Sequence, residues 1–154
     1  MSDPLGDIVR RLNRLEAQAS RREDRIASTP LASYAPTYLG ASTAGVTTYS
    51  TQLGSYVTIG GVAYVWGALT WTNATGTGNA NVSLPVAMSA TPGFGIAISL
   101  RLNGVTFAGG AFQAIIINGD DVFQIEGIAT NAAPTVMAVE VAGSIIFTAV
   151  YPID

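Results

Sequence analysis

Leu5, Ile8, Leu12, Leu15, Ala19, Arg22 and Ile26 recur at alternating steps of three and four residues. That spacing is the a/d seam of a left-handed coiled coil, held for about three heptads. Asp3 is a good N-cap, and Pro4 sits at a first helical position, where its missing N–H costs nothing. Arg10, Arg11, Arg14, Arg21 and Arg25 alternate with Glu16, Glu23 and Asp24 around the seam. A single helix of this length with one narrow apolar stripe is marginal in water. Residues 1–27 are therefore expected to form a coiled-coil helix for oligomerisation or anchoring, with copies of itself as partners. A helix docked on its own domain would show a wider stripe, of roughly three or four apolar residues per two turns. Leu at a with Ile at d leans away from dimers, while Ala19 and Arg22 weaken the end of the seam. Three heptads hold weakly alone, so the domain that follows is expected to associate as well, and the seam leaves the number of strands open.

The charge is divided unevenly. Six of the seven basic residues lie in the helix, none of them lysine, and Arg101 is the only one after Arg25. Beyond the helix the acids are Asp120, Asp121, Glu126, Glu140 and Asp154. A body with one cation has little with which to hold phosphates, which argues against nucleic acid as a partner. The acids between the helical arginines make that helix a solvated coiled-coil flank rather than a basic arm. No apolar run reaches the length of a membrane span, and no signal peptide is visible at the N-terminus. A chain in which only 11% of residues are charged is poorly protected against association. It reads as a part made to pack against other protein.

After the helix, Ser28, Thr29 and Pro30 form a break and Ala35–Pro36 an extended dipeptide, so residues 28–40 read as a linker. From residue 41 to 154 the pattern has period two and reads as one β domain. Strands are expected at residues 46–49 and 56–59, with Gly60 and Gly61 turning into a long strand at 62–72. In that strand Val62, Tyr64 and Trp66 share one face; Val65, Leu69 and Trp71 mostly share the other. Gly67 is a place for a bend or bulge. Further strands are expected at 82–84, 96–102, 105–107, 112–117, 122–128, 135–141 and 144–151. The dipeptides Asn103-Gly104 and Asn118-Gly119 give hairpin signals, and Ala142 and Gly143 turn the chain into the last strand. Eight to ten short strands without a second helix predict a mainly β fold: an antiparallel β-sandwich or jelly-roll-like domain preceded by one coiled-coil helix.

Catalysis has little to draw on. The chain has no histidine, cysteine or lysine, so the usual bases and nucleophiles are missing, as are disulfides and thiolate metal sites. Asp120 and Asp121 could supply half of a calcium loop, but Asn, Gly and Asp are also what a solvated turn requires. No two carboxylates are placed by the sequence as a glycosidase pair. Arg101 suits an anionic sugar or lipid, or a nearby carboxylate, whether within the chain or across a subunit boundary, and the second is favoured. The aromatic residues could form sugar-stacking platforms, but core and interface packing is the better account for those on strands. The expectation is a non-enzyme with no catalytic residues, no metal and no cofactor.

Several stretches carry a resemblance: "YAPT", "GSYVTIGGVAYVWGALTWT", "GTGNANVSLP" and the C-terminal "IIFTAVYPID", behind an Arg-rich heptad helix. Together they resemble small bacteriophage structural proteins in which a short trimeric helix bundle carries an all-β domain. Such modules occur in tail-fibre or receptor-binding proteins and in capsid decoration proteins. The resemblance covers the whole chain in architecture and is closest over residues 34–85. It implies a homotrimer on the exterior of the virion, made in the host cytoplasm, whose partners are itself, other virion proteins and a host-surface glycan. It supplies no catalytic residues. The chain lacks the long shaft of a fibre, which points to a compact knob. On this reading Leu5, Ile8, Leu12, Leu15, Ala19 and Ile26 hold the oligomer. Asn73, Thr75, Asn79, Asn118, Asp120 and Asp121 lie in the loops that would meet a ligand or partner. A capsid cement protein and a stand-alone carbohydrate-binding module are the competing expectations.

Overall fold

The computed structural model describes residues 4–25, 30–91, 93–106, 111–117, 119–128 and 133–154. Helix α1 spans Pro4–Arg25, with proline in its first turn as expected. The described residues then form ten strands: β1 (Ala32–Tyr34), β2 (Tyr38–Gly40), β3 (Thr48–Ile59), β4 (Val62–Thr72), β5 (Ala80–Ser83), β6 (Ile96–Asn103), β7 (Ala111–Ile116), β8 (Val122–Ile128), β9 (Thr135–Val136) and β10 (Gly143–Pro152). The protein is mainly β behind one N-terminal helix, as its periodicity indicates.

All pairings between these strands are antiparallel, in the order β1-β3-β4-β10-β6-β7-β8-β5-β2, with β9 added to β8. The sheet turns its corner at β6. The first half of that strand, from Ile96 to Ile98, pairs with β7. The second half, from Ser99 to Asn103, pairs with β10. The sheet thus curls until its two ends face each other as in a sandwich. Val65, Leu69 and Trp71 of β4 and Ile145, Phe147 and Tyr151 of β10 form one side of the core. Val82, Ile116, Phe123 and Ile125 form the other. Two ring contacts join the halves: Tyr38 stacks on Trp71 with centroids 4.1 Å apart, and Phe123 meets Phe147 edge-on at 4.8 Å. Such pairs contribute about 0.5–1.5 kcal/mol each beyond the area they bury.

The β3–β4 hairpin follows its sequence closely. Ile59 faces Val62 across a two-residue loop in which Gly60 and Gly61 have φ of 56° and 78°. A type I′ turn needs positive φ at both central positions, which glycine adopts without penalty. The rest of β3 departs from expectation. It is one continuous strand, not two short ones, and the bulge falls between Tyr49 and Thr51 rather than at Gly67. Gly67 stays in the ladder, opposite Gly54 on one side and Phe147 on the other. An added Cβ there would strike the Phe147 ring, and one at Gly54 would strike the Tyr34 ring. These glycines make room for aromatic rings that lie over bare backbone.

Three other expectations need correction. The stretch read as a linker, 28–40, contains β1 and β2, and Tyr38 within it is buried in the core. Its two prolines sit outside the strands, and Pro36 still contributes its carbonyl, which accepts from Gln52 Nε2 at 3.0 Å. Residues 105 and 106 do not pair back on β6, whose second half is engaged by β10; Phe107 lies outside the described residues. Residues 135–141 form only the two-residue β9, which pairs with β8, so no hairpin joins it to β10. Met137 amide and carbonyl instead bond Ile125 and Ala80, and Glu140 is held by Tyr38 and Trp71.

Candidate functional site

The seam residues lie on a helix that leaves them open to solvent. Ile8, Leu12 and Leu15 are 55%, 52% and 64% exposed, and Leu5 more so. Among the described residues no strand packs broadly on α1. Val9, beside the strict seam, is also exposed and widens the stripe over its N-terminal half. Ile26 lies outside the described residues, as do Asp3 and the side chain of Ala19.

The two loops expected to meet a partner are built differently and lie apart. Asn73 follows β4 with a φ of 56°, the left-handed conformation that Asn tolerates better than most residues. From there residues 74–79 are stitched to residues 41–46. Thr75 N donates to Val46 O at 3.0 Å, Val46 N to Thr75 Oγ1 at 2.9 Å, and Ala41 N to Asn79 O at 2.9 Å. Thr43 and Thr77 form a bridge and share a hydroxyl hydrogen bond of 2.7 Å. Thr75 is thus occupied in holding the loop, while the exposed Asn73 side chain remains available for contact. At the other end of β5, Asp120 O accepts from Met88 N at 2.9 Å and Asp121 O from Leu84 N at 2.7 Å. These two residues strap the segment after β5. Asn118 lies outside the described residues. Because β5 separates the two loops, the five of these residues that the structure describes do not converge on one site.

Among the described residues no three His, Cys, Asp or Glu side chains come together as a cation site would need. Glu126 accepts from Gln113 Nε2 at 2.6 Å across β7 and β8. The perturbed groups are tyrosines inside the fold. Burial pushes the Tyr38 phenol up to about 12, with its Glu140 amide contact acting the other way. Burial likewise raises Tyr34 and Tyr151 well above the usual phenol range. Each therefore stays neutral at ordinary pH, and Tyr151 spends its proton on Val86 O at 2.9 Å.

The feature that sequence reading did not single out is the outer face of β3, β4 and β10. Three cross-strand rows run over it: Val57–Tyr64–Val150, Ser55–Trp66–Thr148, and Leu53–Ala68–Ile146, the last extended by Arg101 of β6. Leu53, Trp66, Ile146 and Val150 are 67%, 45%, 55% and 52% exposed. Shallow hollows of about 280 Å³ and 230 Å³ flank Ile146, one against Trp66 and Leu53, the other against Arg101, Asn103 and Ser144. The signal was in the sequence: β10 reads Ile145, Ile146, Phe147, then Val150 and Tyr151, apolar on both faces. A strand covered on one side only should alternate with polar residues.

Comparison with protein-family models and with curated proteins finds no match to this chain.

Proposed function

We propose that this chain is a non-enzymatic, homotrimeric surface protein of a bacteriophage virion, of the tail-fibre or receptor-binding type. Helix α1 assembles and attaches it, and the β body is the knob. The observation that carries the reading is the exposed heptad seam of α1, whose a/d spacing is that of helices packed on one another. The stretches that resemble phage modules support it, since they coincide with the β3–β4 hairpin, with β5 and its preceding loop, and with β10. The knob's exposed Asn73 and the turn at Asp120 and Asp121 would then be the surfaces offered to a host glycan. A second reading is a cement protein that clamps capsid subunits. It is favoured by the apolar outer face of β3, β4 and β10, which suits protein contact better than sugar contact.

Light scattering on the full chain tests the assembly. The expected mass is three times that of the monomer. Leu12→Asp and Leu15→Asp should each shift it toward monomer with far-UV circular dichroism of the β body retained. Oligomers of unchanged mass in both variants would remove α1 from the role given to it. A glycan array without a hit would count against host contact through the knob and leave the cement reading.

A further inference from the structure

We infer that the outer face of β3, β4 and β10 is a second self-association surface, covered in the assembled protein by a second copy of this chain. The inference rests on the homotrimeric reading of α1 and extends it to the body. Three observations select a copy of the chain as the occupant. The first is reach. Arg25 ends α1 and Ala32 opens β1, seven residues on. That tether spans at most about 25 Å. Helices joined at the seam therefore hold neighbouring bodies together at an effective concentration on the order of millimolar. Under that condition a face too weak to dimerise alone becomes occupied.

The second observation is composition. The rows across the face carry aliphatic and aromatic side chains at their centre, with Trp66 and Tyr64 as anchors and hydroxyls between them. Interface cores have this makeup, with Trp, Tyr and Arg enriched and other charges depleted. The third is charge. Arg101, the one cation of the body, stands at the rim of the face, beside Ile146. The body's remaining ionisable charges are five acids. A neighbouring body is thus a carboxylate-bearing surface, complementary to that arginine.

The two tryptophans make this directly readable. Trp71 is 1% exposed and buried in every state, whereas Trp66 is 45% exposed in the single chain. Acrylamide quenching of the full-length protein should therefore report Trp66 alone. A Leu12→Asp/Leu15→Asp double variant supplies the monomer for comparison. On assembly of the wild-type chain, the quenching constant should fall severalfold below that of the variant. Ile146→Asp, whose outward position tolerates a charge in the monomer, should weaken assembly by at least about tenfold, because it removes an apolar contact from the face and its carboxylate would engage Arg101, the cation offered to the neighbouring body. An assembled wild type in which Trp66 is as quenchable as in the double variant overturns the inference and leaves the helix-based trimer standing. Protection of Trp66 in the monomeric variant at every dilution also overturns it, because the chain would then be covering its own face. A wild type that is monomeric throughout overturns the inference and the trimer together.

Discussion

Two buried tyrosines show how differently the same hydroxyl can act. Tyr38 Oη accepts from Glu140 N at 2.9 Å while Trp71 Nε1 donates to Glu140 O at 3.0 Å, so one stacked pair of rings satisfies both backbone groups of one residue. Tyr38 also has its own amide and carbonyl clasped by Tyr49 OH. Tyr34 OH, by contrast, is buried with no hydrogen-bond partner among the described residues. Tyr38→Phe should thus cost about 1 kcal/mol, the net value of a hydrogen bond whose partner is left unmet. Tyr34→Phe should be neutral or stabilising, since it removes a desolvated hydroxyl that gains nothing. Urea denaturation of the two variants side by side reads the contrast, and equal losses would refute it. The same phenols set an alkaline limit. Each has a folded pKa above its unfolded value near 10, so the folded state holds its protons more tightly. Their contribution is complete below pH 10 and declines as pH rises towards about 12, where Tyr38 titrates. Melting temperature followed from pH 8 to 12 should be level at first and then fall. A flat profile to pH 12 would show that these rings ionise without unfolding.

The elements divide into those the sequence states and those that only packing decides. Helix α1, the β3–β4 hairpin and β8 could be read directly, because each carries its own signal: a heptad, a two-glycine turn, an alternation of period two. The segment from 32 to 40 could not. Its one proline, Pro36, is a loop residue, and nothing local reveals that Tyr38 fills the space over Trp71 or that Ser83 Oγ accepts from Thr37 N at 2.8 Å. Residues 135–141 failed for the opposite reason. Their β-branched pattern is a good strand, but the hydrogen bonds of Glu140 go to side chains of β2 and β4. The candidate loops were legible as loops, though not their separation by β5, which depends on pairings distant in sequence. Gly67 marks the limit most clearly. Its sequence context suggested a bulge, whereas its role is to clear space for the Phe147 ring that meets Phe123. Gly67→Ala should accordingly destabilise by about 1–3 kcal/mol through overpacking. Ala at Gly61, where an added Cβ meets only Ile153 O at 3.7 Å, should instead cost about 1 kcal/mol, from its positive φ alone. Comparable unfolding midpoints for wild type and Gly67→Ala would mean that β4 and β10 can part without loss.

At the scale of the molecule, the two open apolar surfaces raise a single question: whether stability belongs to one chain or to an assembly. The core itself is substantial, with Trp71, Tyr38, Tyr151, Phe123 and Phe147 among its fully buried side chains, so a separated body should remain folded. An assembly adds stability by mass action, since the native trimer must dissociate before its chains unfold. For three chains, each tenfold rise in concentration adds about 0.9 kcal/mol per chain. In a protein of this size that raises the melting temperature by roughly 2–4 °C. The full-length chain should show this slope above the concentration at which trimers form, and a lower, level plateau beneath it. Leu12→Asp should move the break to higher concentration, because the seam sets the affinity, and leave the plateau unchanged, because the plateau reports the body alone. Ile146→Asp should do the same if its face lies between copies. A variant that lowers the plateau has instead damaged the fold. Calorimetry over a hundredfold range of concentration therefore separates assembly from core for each substitution, and a wild-type melting temperature constant over that range would make the body a monomer that carries its helix for some other partner.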